Sequence, residues 1–391
     1  MKSQLETLYA RVPLGMRLGL DAMRAACKRF GHPEAAFPSV HVAGTNGKGS
    51  VCAMVESIAR ASGLKTGMYT SPHLVRFAER IRIDGEPLSD EALAPLLDQA
   101  LTADLSFFET ATLAAFLAFR EHAVDLAIIE VGIGGRLDAT NVLPAETVRC
   151  SAITKIAYDH MDKLGHTLAQ IAREKAGIAR KDVPLVHGEL PVDAFMAIRS
   201  ECARAGAPRV EASDYEGHVG LLGPHQHYNA GIAARIARRI DLSQGATERG
   251  LATVVWPCRF ERIVTADGEY ILDGAHNPDG VVALTKALEG VKVGALVFGA
   301  LADKPWRSML ELAATIPAPR YYVEPEGRSP APAEALAAIR PGTAMPSLAA
   351  ALARARVQAQ ACAVVICGSL YLVGAARAEL FRLPRDPTVA L

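Results

Sequence analysis

Short runs of β-branched and aliphatic residues recur along the chain, and between them lie stretches whose apolar positions repeat at helical spacing. This is the pattern of a parallel sheet covered by helices. The runs predict strands at 39–43, 126–131, 150–156, 183–186, 270–272, 295–298, 320–323 and 363–367, with helices at 50–62, 110–122 and 229–240 among the intervening stretches. An Ala-rich bias favours those helices, and no internal repeat or low-complexity tract interrupts the alternation. Around Trp256, Pro257 and Cys258 a helical pattern stops and a strand pattern starts at Phe260, which predicts a large α/β domain, 1–257, and a smaller one, 258–391. The stretch 324–332 carries several Pro and Gly but falls inside the small domain's alternation, so it reads as a loop.

The 391 residues leave room for two or three domains with real cores. A mix of 50% hydrophobic and 21% charged residues excludes a disordered or disulfide-stapled peptide. The 42 basic and 42 acidic side chains cancel, so no net charge draws the chain to nucleic acid or to an anionic membrane. Seven Cys without a C-x-x-C pair suggest reduced thiols and a cytoplasmic protein. The first residues, MKSQLETLYARVPLGMRLG, carry charge throughout and lack the apolar stretch of a secretion signal. The most apolar segment, 111–119, is closed by Arg120 and is too short to span a bilayer.

Candidate chemistry begins at SVHVAGTNGKGS, 39–50, which reads as a strand, a glycine-rich turn and the start of a helix near Ser50. Backbone N–H groups at such a turn and the positive helix end form an anion cradle. Lys48 is placed to reach phosphates and Ser50 to put a hydroxyl on Mg²⁺. The match to G-x-x-x-x-G-K-[ST] is imperfect, since two residues separate Gly44 from Gly47 and Gly49 intervenes before Ser50. An ordinary Gly-rich turn of an α/β protein is the alternative.

The apolar strand DLAIIEV ends in Glu130, followed by GIGGRLDATN. Ligands of open α/β sheets collect outside the carboxyl ends of strands, so Glu130 and Lys48 are expected to face one crevice. The alternative is a strand-end carboxylate paired with an Arg. The next strand runs into AYDHMDKLGHT, which gathers Asp159, His160, Asp162 and His166, a set suited to Mg²⁺ or to supporting its ligands, or, for His160, to capping a helix. In REKAG, Lys175 follows Arg173 and Glu174 and on composition alone reads as part of a solvated charged face.

The ordered set GTNGKGS, TSPHL, EVGIGGRLDATN, DHMDKLG, REKAG and LDGAHNP, spread over about 18 to 371, resembles the folylpolyglutamate synthase and dihydrofolate synthase family of the Mur ligase superfamily. GTNGKG is the form of phosphate loop that these ligases use. The resemblance implies a P-loop type parallel-sheet ATP-binding domain, then a smaller Rossmann-like C-terminal α/β domain, with the active site in the cleft between them. It places the nucleotide phosphates on Asn46, Gly47, Lys48 and Gly49, and magnesium on Ser50, Ser71, Glu130 and His160. Lys175 matches the family's carbamylated lysine, which replaces the solvated-face reading and joins Lys48, Glu130 and His160 as the catalytic set. Asn229, Arg259 and Asp273 match positions that hold ATP from the other side. His276 and Ser369 match positions associated with the incoming glutamate. The pterin pocket maps to Leu18, Gly19, Phe108, Glu109 and Leu137; a flat pteridine suits an aromatic wall and a carboxylate. In GALADKPW, Pro305 stands where the family more often has a second charged residue, a departure outside the phosphate and metal motifs.

The implied reaction transfers the ATP γ-phosphate to a carboxylate and lets the glutamate amine attack the acyl phosphate, with Mg²⁺ as cofactor and a monomeric enzyme. Dihydropteroate, reduced folates or both are the expected acceptors, and the RLGL and FFET segments favour a dihydropteroate pocket. The rivals are a P-loop switch or motor, a module that only stores nucleotide, and a Mur ligase acting on peptidoglycan precursors.

Overall fold

The computed structural model describes residues 1–12, 19–327 and 329–386. Its first sheet is built from β1 (Ser39–Ala43), β2 (Thr66–Tyr69), β3 (Ile81–Ile83), β4 (Glu86–Pro87), β5 (Leu126–Glu130), β6 (Val148–Ile153), β7 (Leu185–His187) and β8 (Arg209–Glu211). The order is β4-β3-β2-β5-β1-β6-β7-β8. From β2 to β8 every neighbouring pair is parallel, and β3 and β4 close one edge antiparallel. Every position of β1 and β5 is buried, including Ser39, His41 and Glu130. That burial is what a central parallel strand covered on both faces requires.

The second sheet takes β9 (Glu261–Thr265), β10 (Gly268–Leu272), β11 (Val293–Phe298), β12 (Arg320–Tyr322), β13 (Thr343–Ala344) and β14 (Ala363–Cys367), in the order β13-β12-β11-β14-β10-β9. Only β9 runs antiparallel to its neighbour. Alternation splits its side chains cleanly. Ile271, Leu296, Phe298 and Val365 pack with Val281, Leu284, Trp306 and Met309 on one face. Tyr270, Leu272, Val297 and Ile366 pack with Ala351, Ala355, Leu372 and Val373 on the other.

The chain packs as two compact units, the first from Met1–His73, Ala78–Gly220 and His227–Val255 and the second from Leu74–Phe77, Leu221–Gln226 and Trp256–Leu391. Among the described residues no helix is long and apolar enough to cross a membrane. All seven cysteines are free, and six are buried.

The strands read from the sequence are all present, 39–43 and 363–367 with the ends as read and the other six with shifted ends, and the differences have local causes. β6 stops at Ile153, before the expected 156, because the next residues turn to bond the glycine loop: Thr45 N donates to Lys155 O at 2.8 Å and Thr45 Oγ1 to Ala157 O at 3.1 Å. The helix after β1 is Lys48–Ala61, so Lys48 is its first residue. The helix expected at 110–122 is Phe107–Glu121, started one turn earlier by Ser106 and Glu109 in a capping box. The strands β2, β3, β4, β8 and β13 went unpredicted; each has at most four residues, too few for an alternation to register.

Candidate active site

Each carbonyl of the turn after β1 is held by a donor from elsewhere in the chain or from the adjoining helix. Gly44 O accepts from Lys175 Nζ at 2.8 Å, Thr45 O from Lys48 Nζ at 3.3 Å, and Asn46 O from Thr154 Oγ1 at 2.7 Å. With its carbonyls engaged, the turn's anion-binding capacity rests on the N–H groups that open the helix Lys48–Ala61, which lack intrahelical acceptors. The glycines are dictated by close approach. Gly44 has φ 152°, and a Cβ there would lie 1.8 Å from Thr154 Oγ1; Gly47 has φ 90°, and a Cβ there would lie 2.4 Å from Asn229 Oδ1. Asn229, buried on the helix His225–Arg239, is thereby brought against the turn although it lies far along the chain.

Glu130 ends β5 beside β1, and its Oε1 lies 3.9 Å from Lys48 Nζ. Its Oε2 accepts from Ser71 N at 3.2 Å. Lys48, Glu130 and Ser71 therefore meet at the carboxyl ends of the central strands, where open parallel sheets bind ligands. His160 adopts the left-handed conformation before the short helix Met161–Leu164, without a side-chain capping bond, and its Nε2 lies 3.9 Å from Asp159 Oδ1. Among the described residues no group of three or more His, Cys, Asp or Glu is gathered to hold a metal. The hard oxygens of Ser50 and Glu130 beside the phosphate turn suit Mg²⁺ held partly by a substrate's phosphates, which needs no all-protein cage.

Lys175 is buried, at 4% exposure, which corrects the reading of a solvated charged face. Burial first, and then the charge of Lys48, lower its pKa from the ordinary 10.5 to about 7 against the opposing pull of Asp159 and Asp138. Its neighbours Arg173 and Glu174 do face outward, in ion pairs with Glu201 and Arg136. Sequence reasoning passed over Thr154, which has no motif to mark it, and Asp138, which lies inside the quoted LDATN. Asp138 is buried and accepts from Ile133 N at 3.0 Å and from Thr140 N at 3.0 Å.

Of the residues mapped to a pterin pocket, Leu18 lies outside the described residues, and Gly19 is half-buried with φ 131°. The half-buried Phe108 ring sits against Gly132, where a Cβ would be 2.5 Å from its Cζ, and near Tyr69, with ring centroids 6.1 Å apart. Leu137 is half-buried on the loop between Gly132 and Asp138. Glu109 divides its carboxylate: Oε2 accepts from both the backbone N and the hydroxyl of Ser106, at 2.8 and 2.7 Å, while the buried Oε1 has no hydrogen-bond partner.

In the second unit Asp273 follows β10, and its two oxygens accept from Phe260 N and Ala275 N, each at 2.9 Å. Burial raises its pKa, against the pull of Arg259. These bonds shape the loop that carries His276, whose Nδ1 bonds Gly274 O at 2.8 Å. Arg259 donates to Cys258 O at 3.2 Å. Ser369, just past β14, caps the helix Leu370–Phe381 by accepting from Tyr371 N at 3.2 Å. Burial pushes up the thiols of Cys52, Cys258 and Cys367, so none is a ready nucleophile.

The Mur ligase middle domain matches residues 42–184, and the Mur ligase glutamate ligase domain matches residues 258–370. A dihydrofolate synthase/folylpolyglutamate synthase of Bacillus subtilis is 36% identical, over 79% of this chain and 81% of that protein. One of Escherichia coli is 34% identical, over 95% of this chain and 92% of that protein. The structure of E. coli FolC in complex with DHPP and ADP has a TM-score of 0.87 and 32% identity, covering 97% of this chain and 98% of that one. A bifunctional folylpolyglutamate synthase/dihydrofolate synthase bound to Mn, AMPPNP and L-glutamate has a TM-score of 0.84 and 33% identity, covering 94% of this chain and 95% of that one.

Proposed function

The chain belongs to the dihydrofolate synthase/folylpolyglutamate synthase family of Mur ligases, and on that premise we propose that it joins L-glutamate to dihydropteroate and to reduced folates through an acyl phosphate formed with ATP. The observation that carries this reading is the Lys48–Glu130 pair, 3.9 Å apart, beside a glycine turn whose carbonyls are all held by donors. That arrangement suits an ATP-dependent ligase, in which catalysis of phosphoryl transfer is positioning and charge neutralisation.

Lys48 and the N–H groups of Gly47, Gly49 and Ser50 bind the phosphates, and Asn229, packed on Gly47, keeps the turn in register. Ser50, Ser71 and Glu130, with His160, would hold Mg²⁺, which neutralises charge across the transferring phosphate. Phe108, against Gly132, offers a flat wall to the pterin, with Leu137 on the following loop. Glu109 fixes the helix that carries Phe108 through Oε2, held by Ser106, and its unpartnered Oε1 is left to accept from a pterin N–H. In the second unit Arg259 is the candidate for phosphate charge and His276 for glutamate, with Asp273 and Ser369 shaping the loop and helix end around them.

Lys175 is proposed to carry a carbamate. An amine must be neutral to capture CO₂, releasing a proton as the carbamate forms, and a pKa lowered to about 7 leaves much of Lys175 in that form near neutral pH. The product is an anion beside Lys48, where a buried ammonium would repel the same cation. The cytoplasm is the proposed location, supported by seven cysteines that form no disulfide.

The deciding experiment supplies ATP and glutamate with dihydropteroate or tetrahydrofolate in parallel and follows ADP release and product mass. Release of ADP that requires both the acid and glutamate is expected. ATP hydrolysis indifferent to either would instead identify a nucleotide switch.

A further inference from the structure

Beneath the phosphate turn, β1 carries a histidine that the mechanism leaves unused. His41 has no exposed surface. Its Nε2 lies 2.8 Å from Thr140 Oγ1 and its Nδ1 3.3 Å from Arg180 Nη1. A guanidinium can only donate, so Nδ1 accepts and the ring proton is on Nε2. Nε2–H then donates to Thr140, whose own hydroxyl proton is left for Asp138 Oδ1, 2.5 Å away. The bonds run in one direction, from Arg180 through His41 and Thr140 to Asp138.

Both ends of this relay are anchored. Arg180 also donates to Ile178 O at 2.7 Å and to Asn141 Oδ1 at 2.9 Å. Asp138 also accepts from Ile133 N, at the other end of its loop. Burial and the facing Arg180 hold the His41 pKa well below its usual value, so the imidazole stays neutral and can serve as acceptor and donor at once. The relay reaches the loop after Glu130, which carries Gly132 under the Phe108 ring and Leu137 beside Asp138. The glycine turn is held by a separate set of bonds, from Lys48, Thr154 and Lys175.

We propose that His41 is a positioning residue for the acceptor acid: fixed as its Nε2–H tautomer between Arg180 and Thr140, it orients the loop of Gly132, Leu137 and Asp138 and so sets the affinity for the pterin acid, leaving nucleotide binding alone. The inference rests on the ligase reading above. Asp138 keeps its bond from Thr140 N when His41 is lost, so its charge stays in place and kcat changes less than KM.

The test pairs kinetics with a measurement that needs no substrate. In His41→Leu the KM for the acid rises about tenfold, as for one lost hydrogen bond, while the KM for ATP stays within about twofold. His41→Gln, whose amide N–H can reach Thr140, recovers most of the loss. Thr140→Val, which keeps the β-branched shape, reproduces it if His41→Leu folds poorly, and the double variant adds nothing further. Nitrogen-15 spectra of histidine-labelled wild type, assigned by the signal missing from His41→Gln, show the Nε2–H tautomer. An Nδ1–H tautomer, or ATP and acid KM values rising in parallel in both single variants, would overturn the proposal. A wild type that ligates neither acid would overturn the ligase reading itself, a result separable from the tautomer assignment.

Discussion

Replacing Lys175 with Met should make the apo-protein more stable and inactive at the same time. The side chain is buried, so an ammonium there carries a desolvation cost that a thioether of similar length does not. A pKa lowered from 10.5 to about 7 corresponds to about 5 kcal/mol at low pH, at about 1.4 kcal/mol per pH unit. Between these two values the unfolded chain holds the proton and the native state has released it, so wild-type stability rises with pH across the window. At about pH 6 nearly the whole cost is present, and by about pH 9 it has fallen to about half. Met forfeits the bond from Nζ to Gly44 O, worth about 1–2 kcal/mol. The variant should therefore exceed wild type by about 3 kcal/mol at about pH 6 and by under about 1 kcal/mol at about pH 9.

Urea unfolding followed by far-ultraviolet circular dichroism measures the difference, since Trp256 and Trp306 both lie in the second unit and fluorescence would not follow the first. The samples must be free of nucleotide, Mg²⁺ and bicarbonate, because each stabilises a native state that binds it. Added bicarbonate should stabilise wild type and leave Lys175→Met unchanged. A stability difference that does not vary between about pH 6 and about pH 9 would refute the reasoning, because it would mean that Lys175 does not lose its charge in that range.

Lys48→Ala should lower turnover by about a hundredfold or more with an unaltered melting temperature, because a helix-start lysine meets phosphate charge and contributes little to a core; full activity in an assay at saturating ATP would remove it from the phosphate site. Glu130→Gln keeps an acceptor for Ser71 N and loses the negative charge, so a magnesium titration should show activity that no longer saturates at ordinary Mg²⁺ while urea unfolding is little changed. Asp273→Asn must turn an amide N–H toward either Phe260 N or Ala275 N, both donors, and should cost the second unit about 1–3 kcal/mol, read from tryptophan fluorescence in urea.

The central strands were legible because a strand buried on both faces is mostly apolar, as in the LAII that precedes Glu130, and the glycine turn was legible because a backbone packed against Thr154 and Asn229 excludes a Cβ. Lys175 was legible only in part. Its sequence neighbours Arg173 and Glu174 point to solvent, yet it follows the buried Ile171 by four positions and so shares the inward face of the helix Leu168–Ala176. That spacing was a usable signal, outweighed by the adjacent charges.

The amino-acid sequence by itself determined the longer strands, the phosphate turn and the family of ligases, because these depend on local spacing and on motifs that are contiguous in the chain. The tertiary structure alone decided that Lys175 holds Gly44 O from 131 positions away and that Thr154 holds Asn46 O from 108. Hydrogen bonds and desolvation act over a few ångströms of space, and a sequence states no distance between residues that the sheet alone brings together.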